Sequence, residues 1–127
     1  MKLEIANICK NFTTTSGKLL PVLQDINLSI TKEEFVALVG PSGCGKSTLL
    51  NILGLLDTPT SGSYYLEGVD VSQYTEARRV NARKGVIGFV FQSFNLIEEL
   101  NVYENIELPL LYTGVPANQR KQRIEEA

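Results

Sequence analysis

GPSGCGKST, residues 40–48, decides how the rest of the chain is read. It satisfies the spacing G-x-x-x-x-G-K-[ST] with Gly40, Gly45, Lys46 and Ser47. The residue types follow from what a phosphate needs. Glycines let the backbone come close to a polyanion and adopt dihedrals that side chains forbid, so several N–H groups can converge on it. Lys46 offers a mobile cation for the β- and γ-phosphates, and the Ser47 hydroxyl can ligate Mg2+. Pro41, Ser42, Gly43, Cys44 and Thr48 complete the loop. Cys44 is a candidate for alkylation that bound nucleotide would block; a small residue that merely fits the turn is the alternative reading.

The flanks agree with the loop. FVALVG (35–40) is a short continuous apolar run ending in glycine, as in a strand covered on both faces. KSTLLNILGLL (46–56) carries Leu49, Leu50, Leu53 and Leu56 at helical spacing, and DTPTSG (57–62) stops it with Pro59 and Gly62. Such a helix points its positive end at the loop. GVIGFVF (85–91) is a second continuous apolar run. Two strands of this kind predict a parallel core at 35–39 and 86–91 with helices on both sides.

The N-terminal part follows a different rule. LEIANICKNF (3–12) places Leu3, Ile5, Ile8 and Phe12 among polar residues, TTTSGK (13–18) is turn chemistry, and VLQDINLSI (22–30) alternates through Ile26, Leu28 and Ile30. SYYLEGVDVS (63–72) reads as a strand, a turn at Glu67 and Gly68, and a short strand. These segments predict an antiparallel sheet with one wet face. TEARRVNARK (75–84) reads as a surface helix. NVYENIELPLLYTG (101–114) reads as a helix that Pro109 ends or kinks, and VPANQRKQRIEEA (115–127) as another with Pro116 in its first turn. No stop signal follows that last helix, which predicts that the 127 residues are a piece of a longer domain; a terminal helix that frays at Ala127 is the alternative reading.

Composition narrows the functional classes. The chain is 43% hydrophobic and 20% charged, ordinary for a globular protein. A net charge of -2 argues against general nucleic-acid binding. No apolar run is long enough to span a bilayer, and Glu4 and Asn7 interrupt the N-terminus too early for a signal peptide. Cys9 and Cys44 lack metal-ligand spacing, which suits a reduced setting, and the sequence has no histidine for catalysis or zinc.

Beyond the phosphate loop, LLNILGLLDTPTSGSYYLEGVDVS (49–72) and GFVFQSFNLIEELNVYENIELPLLYTG (88–114) resemble the N-terminal half of an ABC-transporter ATPase subunit. The resemblance covers essentially the whole chain. NILGLLD and NVYENIELPLLYTGV are most similar to the macrolide-export and lipoprotein-release class. The resemblance implies an α/β fold: a P-loop NTPase core with parallel strands, an N-terminal antiparallel β-subdomain and the start of a helical subdomain. Residues 1–92 would hold the first two and 93–127 the third.

The resemblance also implies ATP and Mg2+ as ligands. Lys46 and Gln92 are then the catalytic candidates, and Ser47 and Gln92 the Mg2+ ligands. Gln92 would reach the metal and the attacking water, and would sense the membrane subunit. Phe12 falls where the family places an aromatic ring under adenine, although tyrosine is commoner there. Val22 would lie beside the ribose or base. Core packing remains the alternative for Phe12 and Val22, and the polar end of a strand for Gln92. The implied partners are a transmembrane permease and a second ATPase subunit, at the cytoplasmic face of the membrane.

Hydrolysis asks for more than a phosphate grip: an Asp at the end of a second buried strand and a carboxylate that positions water. ILGLLD ends at Asp57, but on a continuous helix that residue stands about 16 Å from the phosphates. Asp70 sits in turn chemistry. Nothing resembles the family's LSGGQ signature, and no histidine can serve as its switch. The expectation is ATP binding with negligible turnover by these residues alone. Two other readings stay open: a nucleotide-binding half-domain without transport, and a different phosphate-loop kinase or GTPase. The latter lacks an N-K-x-D base-reading motif, and Arg78, Arg79 and Arg83 read as a solvated helix face rather than a kinase lid.

Overall fold

The computed structural model describes residues 2–127. Their contacts fall into two units, one ending at Arg83 and the other running from Lys84 to Ala127.

In the first unit, β1 (Leu3–Thr13) and β2 (Leu19–Ile30) pair as an antiparallel hairpin. The turn between them is closed by the Thr14 amide donating to the Lys18 carbonyl at 2.9 Å. β3 (Ser61–Leu66) pairs antiparallel with the other edge of β1, and β4 (Val69–Asp70) with β3. The order is β2-β1-β3-β4. α1 (Lys46–Leu53) and α2 (Glu76–Arg83) complete the unit, so helices and sheet occur together as the α/β reading requires.

The strands do not alternate strictly, and the reason is local. Ile5 and Ile8 are both buried although three residues apart. Register shifts on both sides of β1 place an extra residue between them. Asn7 takes up the excess in a left-handed conformation, φ 51, which asparagine tolerates better than most residues. Its amide N–H donates to Asn27 Oδ1 and its Nδ2 to Asp25 Oδ1, so β2 stitches the bulge down. Gly62 of β3 lies so close to the Asn7 carbonyl that any Cβ would collide with it.

α1 buries Leu49 and Ile52, while Leu50 stays exposed. The helix stops at Leu53 rather than continuing to Leu56. Leu55 turns left-handed at φ 57, and the Leu55 and Leu56 amides reach back to the carbonyls of Ile52 and Asn51. This is the hydrogen-bond pattern that usually ends in glycine. Leu55 is 1% exposed, and burying a leucine is worth about 2 kcal/mol, enough to offset a left-handed backbone. The buried Tyr64 of β3 donates its hydroxyl to the Leu53 carbonyl at 2.7 Å, fastening the helix end to the sheet.

The expected parallel strands at 35–39 and 86–91 are not formed. Neither run belongs to the sheet, whose pairings among the described residues are all antiparallel. Phe35 is 98% exposed and Val39 89%, and in the other unit Val90 is fully exposed. A buried strand needs a ladder partner on at least one edge and cover on its faces. These two runs have no ladder partner among the described residues, so their apolar pattern is not expressed as a strand. Phe89 and Phe91 stack on each other instead, with ring centroids 5.6 Å apart.

The second unit holds α3 (Val102–Tyr112) and α4 (Ala117–Glu126). Asn101 and Glu104 form a reciprocal capping box at the start of α3. Pro109 does not end α3: the helix runs on to Tyr112, and the Thr113 amide and hydroxyl both reach the Pro109 carbonyl. Arg120 joins the two helices through Glu107 at 2.9 Å.

Candidate functional site

The phosphate-loop residues lead into α1, and Gly45 is its N-cap, with φ 95. A methyl at Gly45 would stand 2.9 Å from Leu23 Cδ2, 3.0 Å from the Val22 carbonyl oxygen and 3.2 Å from Val22 Cγ1. Gly45 is therefore required twice, once by its dihedral and once by the strand behind it. A Cβ at Gly40 would collide with Cys44 Sγ at 2.6 Å. The loop is thus pressed against β2 on one side and folded on itself at the other end.

No side chain caps α1, and its first turn holds no acidic residue. The opening N–H groups of a helix have no intrahelical acceptor, so this end attracts an anion. Lys46 Nζ donates to the carbonyls of Gly40 and Pro41, both at 2.7 Å, and lies 3.6 Å from Cys44 Sγ. The ammonium holds the loop by its own carbonyls, and an arriving phosphate would compete for it. Ser47 and Cys44 are exposed; Thr48 is half-buried.

Two of the remaining candidates lie in the sheet. Val22 is half-buried, and its side chain and carbonyl are the surface that Gly45 meets. Phe12 pairs with Leu20 on β2, two residues from Val22, and its ring is 42% exposed. Gln92 is exposed in a bend of the second unit.

Lys10 is not among the residues that the sequence motifs single out. Its Nζ sits 5.1 Å from the centre of the Phe12 ring. It donates to the Thr58 carbonyl at 2.6 Å and pairs with Asp57 Oδ2 at 2.8 Å. The i, i+2 spacing of Lys10 and Phe12 was the available signal. Asp57 is therefore committed to a lysine. Burial works against its ionisation, but the Lys10 hydrogen bond and the Thr58 amide outweigh that and hold its carboxyl below the ordinary value. Asp70 accepts from the hydroxyl and amide of Ser72, which likewise lower its pKa. Both carboxylates have partners within the fold.

The sequence profile of the ABC transporter family matches residues 23–127. The chain belongs to the ABC transporter family. An uncharacterized ABC transporter ATP-binding protein of Bacillus subtilis, YknY, is 42% identical over 98% of the chain and 54% of its own length. The macrolide export ATP-binding/permease protein MacB of Brucella abortus is 48% identical over 95% of the chain and 19% of its own length. A dimeric structure of the ATP-binding cassette MJ0796, in a post-hydrolysis state bound to ADP and Pi, superposes with a TM-score of 0.89 at 38% identity. That comparison covers 98% of the chain and 54% of the cassette. This ABC transporter chain thus spans about half the length of YknY and of the solved cassette. The likeness to the cassette bears out the α/β class, with the unformed strands at 35–39 and 86–91 as the local departure.

Proposed function

We propose that this chain holds Mg-ATP at residues 40–48 and forms the nucleotide-gripping part of an ATPase that drives export through a membrane permease. One observation carries the reading: Gly45 is seated on Val22 while Lys46 reaches back to the Gly40 and Pro41 carbonyls. That arrangement leaves the positive end of α1 open, and a Cβ at Gly45 would distort it.

The donor set fits the ligand. Backbone N–H groups of the loop would take phosphate oxygens, and Lys46 would exchange its carbonyls for the β- and γ-phosphates. Ser47 would ligate Mg2+. The metal would neutralise phosphate charge. Phe12 would stack under adenine, with Val22 beside the ribose or base.

The names of the relatives support the partners. MacB is named an ATP-binding/permease protein, and the MJ0796 cassette was solved as a dimer. A permease subunit and a second ATP-binding chain are the proposed partners, at the cytoplasmic face of the membrane. No helix among the described residues is long and apolar enough to cross a membrane.

Calorimetric titration with Mg-ATP tests the proposal. Lys46→Ala should abolish binding, because the carbonyl-held ammonium is the site's mobile cation. Wild-type affinity in that variant would overturn the assignment of residues 40–48.

A further inference from the structure

Resting on the reading of Phe12 as the adenine platform, we infer that Lys10 is a positioning residue for nucleotide recognition, holding the Phe12 ring by one face so that the other is presented to the base. The Lys10 side chain is only 12% exposed, and its ammonium is fixed by the Thr58 carbonyl and the Asp57 carboxylate. From that anchorage it stands 5.1 Å over the Phe12 ring. A cation over an aromatic face is attracted by the ring's quadrupole, which restrains the ring's rotation as well as its distance. Phe12 remains 42% exposed, so the ring is held without being enclosed. A flat, restrained ring loses less freedom when a base stacks on it than a freely turning one.

The position of the pair suits this role. Lys10 lies across from Leu23 and Phe12 from Leu20, and Val22 between those partners meets the loop at Gly45. Two residues of strand cover about 7 Å, so the ring and the phosphate loop share one short stretch of β2. A purely structural latch between β1 and the segment after α1 is already present next door. The Thr60 amide donates to the Cys9 carbonyl at 2.8 Å, and Thr60 Oγ1 accepts from the Asn11 amide at 2.9 Å. The ammonium adds what those bonds do not, a contact with the ring. Asp57, which mimics a metal-binding aspartate in sequence, acts here as the anchor of the lysine.

The test compares affinity for Mg-ATP with affinity for Mg-tripolyphosphate, which has no base. Lys10→Met should weaken Mg-ATP about two- to fivefold and leave Mg-tripolyphosphate unchanged. Lys10→Arg, which restores a cation over the ring, should recover most of the loss. Phe12→Leu should weaken Mg-ATP alone, and adding Lys10→Met to it should cost nothing further. Unchanged Mg-ATP affinity in Lys10→Met, or equal loss for both ligands, overturns the inference while Phe12→Leu still reports a platform. No effect of Phe12→Leu on Mg-ATP overturns the underlying reading instead. If Lys10→Met does not fold, Asp57→Asn, which removes the charged half of the ammonium's anchor, is read by the same ratio.

Discussion

Gly45 and Val22 meet so closely that a methyl on the first would stand 3.0 Å from the carbonyl oxygen of the second. The phosphate loop is therefore shaped from behind by β2 as well as from within by its glycines. Gly45→Ala should lose about 1–2 kcal/mol from its left-handed backbone alone, and more from displacing Val22 and Leu23. Thermal melting and Mg-ATP titration should both register the change. Val22→Ala should relieve only the Val22 side-chain part, since Leu23 Cδ2, the Val22 carbonyl and the dihedral remain. Wild-type melting and affinity in Gly45→Ala would show that the loop does not lean on β2.

Tyr64 closes the end of α1 from the sheet. Removing its hydroxyl leaves the Leu53 carbonyl without that donor, so Tyr64→Phe should cost about 1 kcal/mol in denaturant unfolding. Burial also raises the Tyr64 pKa from 10.0 to about 12. Between those values the unfolded chain gives up a proton that the folded one keeps, so stability falls as pH rises through this window. An ultraviolet titration should find a late-ionising tyrosine in the wild type that is absent from Tyr64→Phe.

The Asp57 carboxyl is ionised in the fold below its ordinary value of 3.8. A depressed carboxylate stabilises above the unfolded value and loses that contribution as pH falls through the folded one. Asp57→Asn should thus be less stable than wild type at neutral pH, with the gap closing in acid. A gap independent of pH would assign its cost to packing rather than to the pair with Lys10.

Asn105 organises the approach to α3. Its Oδ1 accepts from the Ile97 amide, and its Nδ2 lies within hydrogen-bond distance of the carbonyls of Ile97, Leu100 and Asn101. Asn105→Ala should destabilise this unit by roughly 1–3 kcal/mol. Hydrogen exchange should rise at residues 97–101 and stay unchanged in the sheet of the other unit. Uniform acceleration, or none, would contradict that local role.

Cys44 is exposed and stands 3.6 Å from the lysine that a phosphate would claim. Saturating Mg-ATP should slow its alkylation, and Lys46→Ala should remove the protection. Equal labelling with and without nucleotide would place the thiol outside the nucleotide's footprint.

What was legible in the sequence was local. The loop at 40–48, the hairpin, the β3–β4 turn, α2 and α4 follow from short-range spacing and turn chemistry. What was not legible depends on residues distant in the chain. The break in alternation at Asn7 needs Asp25 and Asn27 across the hairpin. The early end of α1 arises because Leu55 goes left-handed to be buried, where the pattern invited continuation. The runs at 35–39 and 86–91 carry the right composition for covered strands, but a ladder partner is a non-local condition that composition cannot supply. Among the site candidates, the loop glycines and Lys46 could be read from spacing. The grip of Lys10 on Phe12 could not, because its anchor comes from Asp57, far along the chain.

The extra residue at Asn7 works as a phase slip. In a regular strand, the positions before and after it would keep one parity throughout, and Ile5 and Ile8 would face opposite ways. With the slip, everything downstream on β1 is rotated by half a period relative to everything upstream. Lys10 and Phe12 are on the downstream side, so their orientation is inherited from a residue that touches neither. A chain without Asn7 would keep every chemically interesting side chain in its sequence and lose the slip that lets Ile8 share a buried face with Ile5.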